Sequence, residues 1–98
     1  MNGEKQKKPE ARLHAVISGR VQGVSFRYYT KMTAERLDLT GWVTNRWDGT
    51  VETIAEGSRE QLNDFLSFLR QGPPTAMVQN IDADWESSRG EFSSFRVR

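Results

Sequence analysis

Gly41-Trp42-Val43-Thr44-Asn45-Arg46-Trp47-Asp48-Gly49-Thr50-Val51-Glu52-Thr53-Ile54-Ala55-Glu56-Gly57 stands in the middle of a 98-residue chain and decides its fold. Asp48-Gly49 is a strong tight-turn dipeptide between two extended segments. Trp42 to Trp47 and Thr50 to Glu56 are therefore expected to pair as an antiparallel hairpin, with Gly41 and Gly57 as its outer limits. Immediately downstream, Ser58 and Gln61 have capping-box spacing. The apolar residues Leu62, Phe65, Leu66 and Leu69 follow at i, i+3, i+4 and i+7, which predicts an amphipathic helix. Gly72-Pro73-Pro74 stops it, and Val78 to Trp85 reads as a strand with Ile81, Ala83 and Trp85 on one face. Phe95 and Val97 suggest a short closing strand.

Upstream of the hairpin, residues 11–18 form a strand pattern with Leu13, Ala15 and Ile17 on one face and His14 and Val16 on the other. A glycine-bracketed loop, Gly19 to Val24, comes next. Ser25 is then expected to cap a helix through Phe26, Tyr29, Thr33, Ala34 and Leu37. The order is βαββαβ plus a short C-terminal strand. This predicts an α+β fold, a ferredoxin-like sandwich whose mostly antiparallel sheet carries two helices on one face.

Length and composition limit what such a domain can do. Ninety-eight residues make one domain, read here as residues 11–98 after a disordered tail over residues 1–10. That tail is polar and lacks the apolar stretch of a secretory signal, so a cytoplasmic location is expected. No apolar run approaches the roughly 20 residues of a membrane helix. There is no cysteine and only one histidine, His14, which removes disulfides, thiolate nucleophiles and thiolate metal sites. No metal and no organic cofactor are expected.

Residues 11–98 hold eleven basic and eleven acidic side chains. A neutral body argues against a protein that neutralises many phosphates of a nucleic acid, and against a polybasic membrane sensor. Ten of the eleven bases are arginines, the residue suited to planar recognition of carboxylate or phosphate. His14 reads as a packed or surface histidine. The pairs Asp82/Asp84 and Glu52/Glu56 read as solvated strand charges, too few to hold magnesium.

Two stretches could carry chemistry. The amides of Gly19-Arg20-Val21-Gln22-Gly23-Val24 can converge at a helix N-terminus, where Arg27 in the first turn can fold back over the same cavity. Such a cradle suits a small tetrahedral anion. It is not the nucleoside-triphosphate P-loop, because both the spacing and the lysine are missing. On spacing alone, the glycines are read more readily as turn residues. The second stretch offers Asn45, placed inside a strand, where asparagine is disfavoured. Were strand two to lie beside strand one, its amide would reach the loop and could hold a water molecule. Otherwise it is a polar residue on an exposed face.

Together the two stretches resemble a known family. Ile17-Ser18-Gly19-Arg20-Val21-Gln22-Gly23-Val24-Ser25-Phe26-Arg27 is similar to the first signature of the acylphosphatases. Gly41-Trp42-Val43-Thr44-Asn45, followed by Gly49, Val51 and Gly57, is similar to the second. Thr44 is a departure, since family members often carry a longer side chain there. The resemblance implies hydrolysis of the carboxyl–phosphate anhydride of a small acyl phosphate by a monomer. It assigns phosphate binding to Arg27 with the loop amides of roughly Arg20 to Val24, and orientation of the attacking water to Asn45.

The implied chemistry agrees with what the chain lacks. A carboxylate leaves without a general acid, because its conjugate acid has a pKa of about 4. Asn45 cannot take up a proton, so positioning and charge stabilisation must supply the acceleration. Two other readings use the same fold: a phosphate- or carboxylate-sensing module without turnover, and an RNA-binding sandwich. The second needs aromatics on a basic strand, and Val51-Glu52-Thr53-Ile54 supplies none.

Overall fold

The computed structural model describes residues 9–98. The elements are β1 (Ala11–Arg20), α1 (Phe26–Arg36), β2 (Thr40–Asn45), β3 (Val51–Gly57), α2 (Arg59–Gln71), β4 (Met77–Glu86) and β5 (Phe95–Val97). They form one five-stranded sheet in the order β4-β1-β3-β2-β5. Every pairing is antiparallel except β2 with β5. Two helices pack on this sheet, as the pattern of elements predicts.

Alternation along the strands determines which face the helices cover. Leu13, Ala15 and Ile17 of β1 are fully buried, as are Val43 of β2 and Val51 and Ala55 of β3. Against them α2 turns Leu62, Phe65 and Leu69, also fully buried, and Phe65 meets Phe95 of β5 edge-to-face. From α1 come Phe26, Thr30, Thr33 and Ala34. Tyr29, expected on this inward face, is instead 42% exposed, and Thr30 takes its place. The Thr30 hydroxyl needs no partner from outside the helix, because it donates to the Phe26 carbonyl one turn back at 2.8 Å.

The opposite face of the sheet carries the charges. Arg12 of β1 is only 4% exposed and Glu56 of β3 only 1%. Their side chains pair at 3.0 Å, and Glu86 and Glu91 flank the same guanidinium. This corrects the expectation that Glu52 and Glu56 are both solvated. Glu56 is covered because the segment after β4 folds over it and donates the amides of Arg89 and Gly90 to its carboxylate. Glu52 accepts a hydrogen bond with His14 Nε2 as partner, at 2.6 Å.

The tail expected over residues 1–10 lies, up to position 8, outside the described residues. Glu10 is described. Its amide donates to the Gly57 carbonyl and its carboxylate accepts from the Arg59 amide. No helix among the described residues is long and apolar enough to cross a membrane.

Candidate active site

β1 and β2 both run toward the end of the sheet where α1 begins, but β3 lies between them. The adjacency of strands one and two on which the reach of Asn45 was made to depend is therefore not present. Asn45 reaches the loop by register instead. It is paired with Val51, which is paired with Ile17, so all three point to the helix-covered face. Being the last residue of β2, Asn45 extends past the packed core into a cleft.

That cleft has a volume of about 430 Å³, and its walls include Val21, Gly23, Arg27 and Asn45. Arg27 and Asn45, predicted from separate stretches, are thus brought together. Among the described residues no ion pair involves Arg27, so its charge is available to the cleft. Asn45 Oδ1 is buried without a hydrogen-bond partner in the protein. A buried acceptor left in this state costs about 1–3 kcal/mol. In a cleft wall, it is an acceptor for a donor held inside.

The loop is shorter than the sequence suggests. Gly19 and Arg20 belong to β1, paired with Val78 and Met77 of β4 across a register shift, and they do not line the cleft. Gly19 is required there by packing, because a Cβ would run into the Met77 carbonyl. Of the remaining loop residues, Val21 and Gly23 face the cleft. Gln22 turns its side chain to the β2–β3 turn, and the Val24 carbonyl accepts from the Thr75 hydroxyl at 2.9 Å. Among the described residues, the amides of Val21 to Ser25 donate to no backbone carbonyl.

Ser25 does not cap α1 as expected. It adopts φ 63° and ψ 22°, a left-handed conformation, and its hydroxyl makes no capping bond. With Gly23 also at positive φ (74°), the chain curls tightly into the helix. The first-turn amides of α1 are consequently left without a side-chain acceptor, and no acid stands in that turn. An uncapped helix start with a free arginine is a site for an anion.

Ser25, Phe26, Tyr28 and Val97 complete the cleft and were missed by sequence reasoning. Tyr28 directly follows Arg27, which was a usable signal. Val97 had none, since its place depends on the long-range parallel pairing of β5 with β2. Among the described residues, no group of three or more His, Cys, Asp or Glu side chains is arranged to hold a metal.

The acylphosphatase family model matches residues 13–97. The chain belongs to the acylphosphatase family. An acylphosphatase of Pelotomaculum thermopropionicum is 48% identical over 87 residues, covering 89% of this chain and 95% of that one. One from Acaryochloris marina is 51% identical over 85 residues, with 87% and 90% covered. In three dimensions, an acylphosphatase from Coxiella burnetii superposes with a TM-score of 0.87 at 40% identity, covering 94% of this chain and 98% of that one. The protein is a hydrolase of the acylphosphatase type, and its family acts on small acyl phosphates.

Proposed function

We propose that the cleft at the start of α1 is the catalytic centre, with Arg27 holding the substrate phosphate and Asn45 directing the water. The carrying observation is the buried, unpartnered Asn45 Oδ1 in the same cleft wall as an unpaired guanidinium. The phosphate enters the curl formed by Val21 to Ser25, where free amides and the helix N-terminus favour negative charge. The Arg27 fork grips two of its oxygens, and this grip tightens as charge spreads over them in the transition state.

Asn45 Oδ1 accepts a hydrogen from the water and so points a lone pair of the water oxygen at phosphorus. The new O–P bond forms as the bridging O–P bond breaks, and the bridging electron pair leaves with the carboxylate. The proton released by the water goes to a non-bridging oxygen of the phosphate, since neither Asn45 nor Arg27 can take it up. All of these groups come from one chain, which supports the monomer as the working unit.

The test is hydrolysis of benzoyl phosphate in the presence of a chelator, with inorganic phosphate as a competitive inhibitor. Arg27→Ala should lower kcat/KM by roughly 100- to 1,000-fold, about 3–4 kcal/mol, and should weaken phosphate inhibition as well. Asn45→Ala should lower kcat strongly while leaving the phosphate inhibition constant nearly unchanged. Wild-type turnover in both variants would refute the assignment. An unmodified chain that binds phosphate without turnover would point to a sensing module instead.

A further inference from the structure

The loop after β1 and the end of β2 are not neighbours in the sheet, because β3 separates the two strands. One side chain nevertheless joins them. Gln22 Nε2 donates to the Arg46 carbonyl at 2.7 Å and to the Thr50 carbonyl at 2.8 Å. These two residues close the β2–β3 turn, with the Arg46 amide donating to the Thr50 carbonyl at 2.8 Å and the Gly49 amide to the Arg46 carbonyl at 3.2 Å. Both hydrogens of the Gln22 amide are used, and both carbonyls then carry two donors each.

We infer that Gln22 is a positioning residue for the reaction, a strut that fixes Asn45 relative to the phosphate cradle. The inference rests on the site assignment above. Asn45 directly precedes Arg46, and its own Oδ1 has no protein partner to hold it. The placement of its side chain therefore depends on where the backbone at the end of β2 sits. Gln22 is itself a loop residue, between the cleft-lining Val21 and Gly23. Any displacement of the hairpin relative to the cradle must stretch one of its two hydrogen bonds.

The chemistry of the side chain fits this role closely. Two acceptors on either side of a turn call for two N–H donors on a single planar nitrogen. Glutamate has the same shape but no donor and would set a negative charge against two carbonyls. Methionine has the length and no polarity. Asparagine keeps the amide but draws it back by one methylene.

The experiment measures kcat for benzoyl phosphate and the inhibition constant of inorganic phosphate in Gln22→Glu, Gln22→Met and Gln22→Asn, each checked for folding by thermal melting. Misplacing a positioned water lowers turnover by about ten- to a hundredfold, and that loss is expected in kcat. The phosphate inhibition constant should stay within roughly threefold, because the cradle amides and Arg27 are untouched. The decisive arm combines Gln22→Met with Asn45→Ala. Once the amide that aims the water is gone, the strut has nothing to position, and the further loss in kcat should be under about twofold.

Three results would overturn the inference: unchanged kcat in all three variants, phosphate inhibition weakened as much as kcat, or losses that multiply fully in the double variant. A failure of the site assignment looks different. In that case Asn45→Ala alone retains turnover, whatever the Gln22 variants do.

Discussion

Removing the Glu56 carboxylate should cost stability without touching catalysis. Glu56 is 1% exposed and accepts three hydrogen bonds, from Arg12 Nη1 at 3.0 Å and from the Arg89 and Gly90 amides at 2.8 and 2.9 Å. Breaking a buried ion pair by deleting one partner costs about 3–5 kcal/mol, because the other charge stays behind. Arg12 keeps Glu86 and Glu91, whose side chains are 38% and 45% exposed, so the lower end applies. For Glu56→Ala the expected loss is about 3 kcal/mol, a large part of the roughly 5–15 kcal/mol that holds a domain together. At about 4–8 °C per kcal/mol for a domain of this size, the melting temperature should fall by roughly 12–24 °C. Five residues of strand, about 17 Å, separate Glu56 from Val51, the partner of Asn45 at the cleft end of β3, so kcat of the folded fraction should not change. Urea unfolding and benzoyl phosphate hydrolysis below the transition measure the two quantities. A loss under about 1 kcal/mol, within the range of an exposed pair, would refute the reasoning, as would a fall in kcat at full folding. Replacing both partners, Arg12→Met with Glu56→Leu, should recover most of the stability, since an apolar pair carries no stranded charge.

The turn beside Asn45 should report on pH. Asp48 accepts from the Thr50 hydroxyl at 2.6 Å and the Thr50 amide at 3.1 Å, and these bonds hold its carboxyl below the ordinary 3.8. A depressed folded value means that the carboxylate supports the turn above the ordinary value and loses that role as pH falls through the depressed one. The Thr50 amide resonance should therefore titrate with a midpoint below 3.8, and Asp48→Asn should abolish the transition. Two glycines should respond differently to alanine. Gly41 has φ +142°, and a Cβ there would run into the Ile54 carbonyl, so Gly41→Ala should cost on the order of 2–5 kcal/mol by chemical denaturation. Gly23 has φ +74° and open space around it, so Gly23→Ala should cost only about 1–2 kcal/mol. Gly23 lines the cleft, so the larger effect should be on phosphate inhibition.

What the sequence showed clearly was local. The Asp48-Gly49 turn, the Ser58–Gln61 cap and the apolar stripe of α2 each depend on residues a few positions apart, and each is present as expected. Arg27 and Asn45, the two residues of the proposed site, could be singled out because their motifs are contiguous, and both line one cleft. What stayed hidden depends on distant partners. Glu56 looks like a strand-end charge until Arg12, 44 positions away, lies against it. Val97 enters the cleft only because β5 pairs parallel to β2. Strand order was hidden for the same reason, since alternation identifies a strand's faces but not its neighbours. The Ser25 error has a different origin. Serine before a helix predicts a cap from propensity, and here the demand of the loop for a left-handed turn outweighed it.

That error bears on function, because the two helices share the same local grammar and use it differently. Each begins after a serine. Ser58 adopts an extended conformation and accepts from the Gln61 amide at 3.1 Å, and the first turn of α2 sets Glu60 beside Arg59, whose guanidinium lies over the Trp85 ring. Ser25 turns left-handed, leaves the first amides of α1 without a side-chain acceptor, and is followed by an arginine where an acid would suit the helix dipole. A left-handed serine and a cation at a helix start both cost stability. On the proposed site assignment, a phosphate bound in the cleft would offset both costs together, filling the open amides and neutralising Arg27. It follows that inorganic phosphate should raise the melting temperature, and that Arg27→Ala should remove most of this ligand-induced gain even where it leaves the free protein as stable as before.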